Sequence, residues 1–290
     1  MKQNPFSLYD FLAHLIPGIS LLIILNYFFT INYEAILNLP NASKVFNNLT
    51  IHIIFFTVVA YIVGQLISFV SSRTVETYSN FKYRYPSTYL LNLQRNDGKE
   101  KGNVLKTVRF LIQIVIIFIV FFDRCIFCKL TMYVAKPLDG IMQKIIIEKL
   151  NGFFKKIKYN DYIIIGDDNE QPECDFHRIL MHYVYEHTLH HRGKIDNYVA
   201  LYGFHRSMAF IFNLTAWIAL GKFIFSCFFI FNLSFLWIAF GAAFISYLFF
   251  VSYMKFYRRF TLESYMLLMI DENIGREQND NSSTNKTSNP

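Results

Sequence analysis

Charge is scarce in this chain. Only 17% of its 290 residues are Asp, Glu, Lys or Arg, against about 25% in an average soluble domain, and with so much apolar residue present this excludes a disordered polypeptide. Cysteine is scarce too. Cys125, Cys128, Cys174 and Cys227 are too few to staple a chain of this length as a disulfide scaffold. There is no Gly-rich phosphate loop, no Gly-x-Ser-x-Gly elbow and no acidic ion-binding loop, so the usual signatures of nucleotide hydrolysis, acyl transfer and calcium binding are missing. What the sequence does have is apolar surface: 53% hydrophobic residues, with 32 Phe, 19 Tyr and 2 Trp. These gather in long runs, the pattern expected when lipid is the solvent.

The first run, Phe11 to Phe29, is long enough at about 1.5 Å per residue to cross a hydrocarbon layer of about 30 Å. Pro17-Gly18 should kink it. With Lys2 the only basic residue ahead of it and no small-residue cleavage site behind it, a retained anchor is expected. Ile51 to Val70 forms a second run, and Met208 to Met254 is long enough for two more, joined by a turn near Asn232-Leu233-Ser234. Between the second and third, Arg73 to Arg206 holds 20 of the 28 Lys and Arg residues and 14 of the 21 acids, a net charge of +6. The positive-inside rule places such a segment in the cytoplasm, and Lys255, Arg258 and Arg259 close the fourth run on the same side.

The expected fold is therefore an all-α membrane protein: four transmembrane helices with a mainly helical cytoplasmic domain inserted between the second and third. Its parts are a first hairpin (1–72), the basic domain (73–206), a second hairpin (207–259) and a cytoplasmic segment with a polar tail (260–290). Both termini are expected in the cytoplasm of a bacterium, with the inner-membrane bilayer as the first partner. Phe110 to Phe122 is short for a span, and a fifth crossing would strand Lys155, Lys156 and Lys158 outside. It is expected as a helix buried in the cytoplasmic domain or lying in the membrane interface. Leu138 to Ile157 reads as an amphipathic basic helix, with Ile141, Ile145, Leu150, Phe153, Phe154 and Ile157 on its apolar side, resting on anionic lipid or on a neighbouring helix. Tyr162 to Ile165, followed by Gly166-Asp167-Asp168, reads as a short strand and turn.

Chemistry has three candidate seats. Five of the eight histidines fall between His177 and His191. On a helix His182, Glu186 and His190 form one stripe and His187 and His191 another, and imidazoles with a carboxylate suit Zn or Fe. The opposing reading is a solvated or interhelical histidine face with no cofactor, and His187-Thr-Leu-His190-His191 resembles only one box of the several that membrane di-iron desaturases use. Cys125, Cys128, Cys174 and His177 make a candidate structural zinc set, although cysteines on an apolar helix commonly act as small hydrophobes. Arg178 and His182 resemble the Arg/His pair of helical ribonuclease domains at the wrong spacing. The third seat is the polar residues of the spans, Asp10, His14, Gln65, Asn213 and Lys222, which either line a watery path or bond between helices. One chain of four helices is too small to enclose a wide pore, so a path requires a homo-oligomer.

Phe6-Ser-Leu-Tyr-Asp-Phe-Leu-Ala-His-Leu-Ile-Pro-Gly18, Val63-Gly-Gln-Leu-Ile-Ser, Tyr85-Pro86 and Ile195-Asp-Asn-Tyr-Val-Ala-Leu-Tyr-Gly-Phe-His-Arg206 together resemble a group of bacterial four-pass membrane proteins found in two-gene anti-phage defence systems. The Hailong-type channel subunit is the nearest of these. The resemblance implies an oligomeric channel held by a nucleotide or oligonucleotide made by a neighbouring enzyme. Arg95, Lys99, Lys101, Lys106 and Arg109 are the cations that would meet its phosphates. The alternatives are a metal-dependent membrane enzyme centred on the histidine cluster and a passive anchor for a soluble partner.

Overall fold

The computed structural model describes residues 8–29, 49–93, 103–126, 128–156, 175–187, 191–229 and 232–270. All regular structure among them is helical. Four helices are long and apolar enough to cross a membrane: Asp10–Phe29, Thr50–Tyr89, Gly193–Phe228 and Ser234–Ile270. The chain divides into two compact units, and the charged segment 73–206 contributes to both.

The first unit comprises 1–82, 101–134 and 196–257. Helix α1 (Asp10–Phe29) opens with a π turn over Asp10–Leu15. Pro17 follows after Ile16. Its ring would clash with a carbonyl four residues back and it has no N–H to give, so the wide turn before it absorbs the kink that the Pro-Gly pair implied. Helix α2 (Leu49–Ser71) does not stop where the apolar run ends at Val70. It passes through a second π turn, Ser72–Glu76, into α3 (Thr77–Tyr83). Arg84 then takes a positive φ of 69° and Tyr85 is extended ahead of Pro86, which ends the helix. Two long helices complete the bundle: α10 (Arg192–Phe229), of which 196–229 belong here, and α11 (Ser234–Ile270), which contributes 234–257.

Close packing in this unit depends on small residues, as it does between helices in lipid. Gly18 lies against the backbone of Ala60 and Gly64 against the backbone of His14, so α1 and α2 touch main chain to main chain. Gly203 of α10 presses on Ala13 and the Tyr9 ring. Ser246 of α11 donates to the Ala209 carbonyl of α10 at 2.7 Å. Only 22–39% of each apolar stretch is buried within the protein. Side chains such as Ile53, Ile54, Ile62, Leu66 and Phe69 of α2 therefore face outward, as lipid-facing positions do.

The apolar run from Phe110 belongs to the same unit as these helices. It forms α5 (Asn103–Val115), α6 (Ile117–Phe121), a third π turn (Phe122–Ile126) and α7 (Cys128–Val134). Phe118 meets Trp217 at 5.3 Å, and Phe122 stands 6.0 Å from each of Phe240, Phe244 and Tyr247. Of the two expectations for this run, burial in the inserted domain or a position in the membrane interface, the first is corrected here: its aromatic side chains find partners on α10 and α11.

The second unit comprises 83–100, 135–195 and 258–290. It contains α4 (Pro86–Tyr89), α8 (Gly140–Lys156) and α9 (Phe176–His187), together with the ends of α10 and α11. Its core joins Ile146, Leu150, Phe153 and Phe154 of α8 to Phe176, Leu180 and Val184 of α9, with Tyr265 and Leu268 of α11. Phe153 packs on Tyr183 at 4.6 Å, so α8 rests on a neighbouring helix. The apolar face is shifted from the expected one. Ile141 and Ile145 are exposed, because they sit about 100–140° around the helix from the Ile146–Leu150–Phe153 stripe. Lys194 pairs with Glu263 at 2.6 Å, and Tyr265 donates to the Ser87 carbonyl at 2.9 Å. The strand expected at Tyr162–Ile165 lies outside the described residues.

His177 is built into this core, edge-on to Phe260 and Tyr265. Its Nε2 is buried with no hydrogen-bond partner among the described residues. Burial drives its pKa down to about 4, against a weaker upward pull from Asp175. The folded protein thus holds this imidazole neutral, whereas the unfolded chain binds a proton near pH 6.5. Its contribution to stability is fully present above about pH 6.5 and is lost as pH falls through the interval down to about 4. A declining melting temperature over that interval is expected in the native protein, and a shallower decline in His177→Phe. Equal slopes for the two proteins would contradict it.

Candidate functional site among the apolar helices

Each of the three π turns in the described residues carries one acid: Asp10, Glu76 and Asp123. Wide turns of this kind free backbone groups and tend to occur where a helix does more than pack. All three carboxylates belong to the first unit, and each has a partner.

Asp10 begins a hydrogen-bonded chain. Gln65 Nε2 donates to the Tyr61 hydroxyl at 3.0 Å, and Tyr61 donates to Asp10 Oδ1 at 3.2 Å. His14, one turn on from Asp10, is buried between Tyr9 and Tyr61, with ring centroids 5.1 and 5.9 Å away. Its Nδ1 has no hydrogen-bond partner among the described residues. Of the polar span residues expected from sequence, Asp10, His14 and Gln65 are thus brought together by the close approach of α1 and α2.

Glu76 forms an ion pair with Arg206, whose side chain is only 9% exposed. Ser72 donates to the same carboxylate at 3.3 Å, and Arg206 also reaches Ser68 Oγ at 3.3 Å. Tyr202, Tyr253 and Tyr257 pack ring against ring beside the pair. Arg206 Nε, Ser207 Oγ and the Tyr253 hydroxyl are buried without a hydrogen-bond partner among the described residues. Such atoms are costly to desolvate unless water or an ion reaches them.

Asp123 is fully buried. It takes a 2.8 Å ion pair from Lys82 and a 2.7 Å hydrogen bond from Tyr78. Asn213 does not join any of these clusters. It donates from Nδ2 to the Val115 carbonyl at 2.7 Å, and Trp217 Nε1 donates to the same oxygen at 3.0 Å. Lys222 lies 5.2 Å over the Phe29 ring.

In the sequence Lys82, Arg206 and Asp123 stand simply as charges flanking apolar runs, and Glu76 carries no mark of its own. The signal for Glu76 and Arg206 as a pair was present. An acid and a base stand within two helical turns of apolar runs that end on the same side of the bundle, where partial burial demands that they pair.

The other expected sites fare differently. Arg95, Lys99 and Lys101 lie outside the described residues, and Lys106 is on α5. The Arg109 guanidinium is 4.0 Å over the Phe81 ring. On α9 His182, Glu186 and His187 are exposed, as is His191 beyond it. His187 stacks on Tyr183 at 4.0 Å, with Nδ1 2.9 Å from the Tyr183 carbonyl. His190 lies outside the described residues. No group of three or more His, Cys, Asp or Glu side chains among the described residues is placed to hold a metal ion. Cys125 and Cys128 are free thiols, and Cys174 falls outside the described residues. No protein-family profile, curated protein or solved structure matches the chain.

Proposed function

We propose that this is a membrane effector whose four spans assemble, as a homo-oligomer in a bacterial inner membrane, into a gated path for ions or small solutes. The charged segment and both termini face the cytoplasm in this reading, where an anionic ligand such as a nucleotide or oligonucleotide acts. The carrying observation is the Glu76–Arg206 ion pair, held beside the Asp10–Tyr61–Gln65 chain among helices whose outer faces are apolar. Charges in such surroundings are expensive and are retained where ions, protons or a switch need them. Buried polar atoms of Arg206, Ser207 and Tyr253 that have no hydrogen-bond partner among the described residues support access by water at the same place. The two ion pairs also have the character of latches, since each can be exchanged for water at small net cost once the helices move.

Proteoliposomes carrying the purified protein are expected to pass ions, and Glu76→Gln combined with Arg206→Met, which discharges both partners, is expected to change that flux several-fold. A response to an oligonucleotide should weaken as salt rises. Absence of flux under every ligand and voltage applied would remove the proposal in favour of a passive anchor.

A further inference from the structure

With α10 and α11 as membrane spans, the depth of any element packed on their middles is fixed. Trp217 stands about 14 Å along the helix from Met208, where the apolar run of α10 begins, and Phe244 about 15 Å from Ser234, where that of α11 begins. Both are therefore near the centre of a hydrocarbon layer of about 30 Å. Phe118 and Phe122 touch them. We propose that Asn103–Val134 is a re-entrant membrane element, which enters the bilayer, reaches the level of Trp217 at its break and leaves by the side it entered. Its partner is the acyl-chain interior of the bilayer.

Three observations carry this. The first is how the backbone break is handled. Ile116, at φ −107° and ψ 32°, interrupts the helix between α5 and α6, and the Val115 carbonyl beside it accepts hydrogen bonds from both Asn213 and Trp217. Non-helical backbone survives at membrane depth only where protein satisfies it. The second is the outward face. Phe110, Leu111, Phe121, Ile126 and Met132 are each at least half exposed, an apolar surface that water disfavours and lipid accepts.

The third is that the chain doubles back. Arg124 Nη2 donates to Gln113 Oε1 at 3.3 Å across the break. The incoming arm places Arg109 on Phe81 of α3. The outgoing arm places Thr131 2.9 Å from the Tyr247 hydroxyl, one turn along α11 from Phe250, which packs on Tyr78 of the same α3. Both arms therefore lie on the α3 side of the level of Trp217 and Phe244. Asp123, the one acid of the element, is neutralised by Lys82. Arg124 and Lys129 are exposed, with stems long enough to carry their charges towards the interface. The number of crossings stays even, which the lysine and arginine distribution requires. None of this depends on conduction.

The test uses the full chain in liposomes with its four cysteines replaced by serine. Spin labels at Leu111→Cys, Ile117→Cys and Phe121→Cys are expected to be at least several-fold more accessible to oxygen than to a water-soluble nickel chelate, like a label at Leu66→Cys. A balance favouring the chelate, like that of a label at Lys144→Cys, would overturn the proposal. Thr107→Cys and Tyr133→Cys should react with a membrane-impermeant maleimide from one face of sealed vesicles. Reaction from opposite faces would mean a fifth crossing and would also overturn it. Should the serine background not fold, a carbene-generating phospholipid on the native protein replaces the labels. Cross-linking to the 107–124 peptide at the level of the 51–70 peptide supports insertion, and its absence there refutes it.

Discussion

An alanine at Gly64 is expected to lower stability by about 3 kcal/mol, the upper part of the usual range for overpacked sites. The added methyl would overlap the His14 carbonyl oxygen, and the same holds for Gly18 against the Ala60 carbonyl. In neither place is there a flexible side chain to give way, so the helices themselves must separate. That separation would also pull Tyr61 and Gln65 from Asp10, because the hydrogen-bonded chain spans the same contact. The controls are built into the protein: at Gly221 and Gly241 an added methyl would have nothing within 4 Å, so alanine there should be silent. Thermal unfolding in one detergent decides it. A melting temperature for Gly64→Ala equal to that of Gly241→Ala would show that α1 and α2 do not touch in this way.

Arg206→Ala is expected to be at least as damaging. It leaves Glu76 partly buried with the Ser72 hydroxyl but no cation, and removing one partner of a buried pair costs about 3–5 kcal/mol. Discharging both should be milder than the sum of the single changes. Arg206→Met combined with Glu76→Gln is expected to recover most of the loss, giving a coupling of about 1–3 kcal/mol in a double-mutant cycle. Lys144→Ala on the exposed side of α8 serves as the neutral reference. Strict additivity of the two substitutions would mean that the carboxylate and guanidinium act independently. In that event the latch function of the pair has no basis, even where flux survives.

Much of the bundle was legible in the sequence because a span is a statement about length and apolarity alone. The run from Phe11 became a helix beginning at Asp10, and Met208 to Met254 divided near Asn232 into two helices, as its turn residues required. The continuation of α2 through Glu76 to Tyr83 was not legible, since the residues after Val70 are polar and only tertiary partners show that they stay helical. Phe110 to Phe122 misled for a related reason. Thirteen apolar residues have the same composition whether they pack within an inserted charged domain or against the long apolar helices, and only their contacts with Trp217 and Phe244 separate the two. At the site, Asp10, His14 and Gln65 stood out because each is polar inside an apolar run. Arg206 and Asp123 did not stand out, because a charge at the edge of a run looks like an end marker. Its partner lies 130 positions away for Arg206 and 41 for Asp123, distances at which no periodicity informs.

The π turn at Ser72–Glu76 also changes which way the two halves of a long helix look. An uninterrupted α spiral from Gly64 would bring Tyr78 back to the side that touches α1, within about 40° of Gly64. The extra residue held in the wide turn rotates everything after it by about 100°. One continuous rod therefore addresses His14 with its first half and Asp123 with its second. Losing that single residue would re-index the second half and leave Lys82 and Tyr78 pointing away from the carboxylate they both serve.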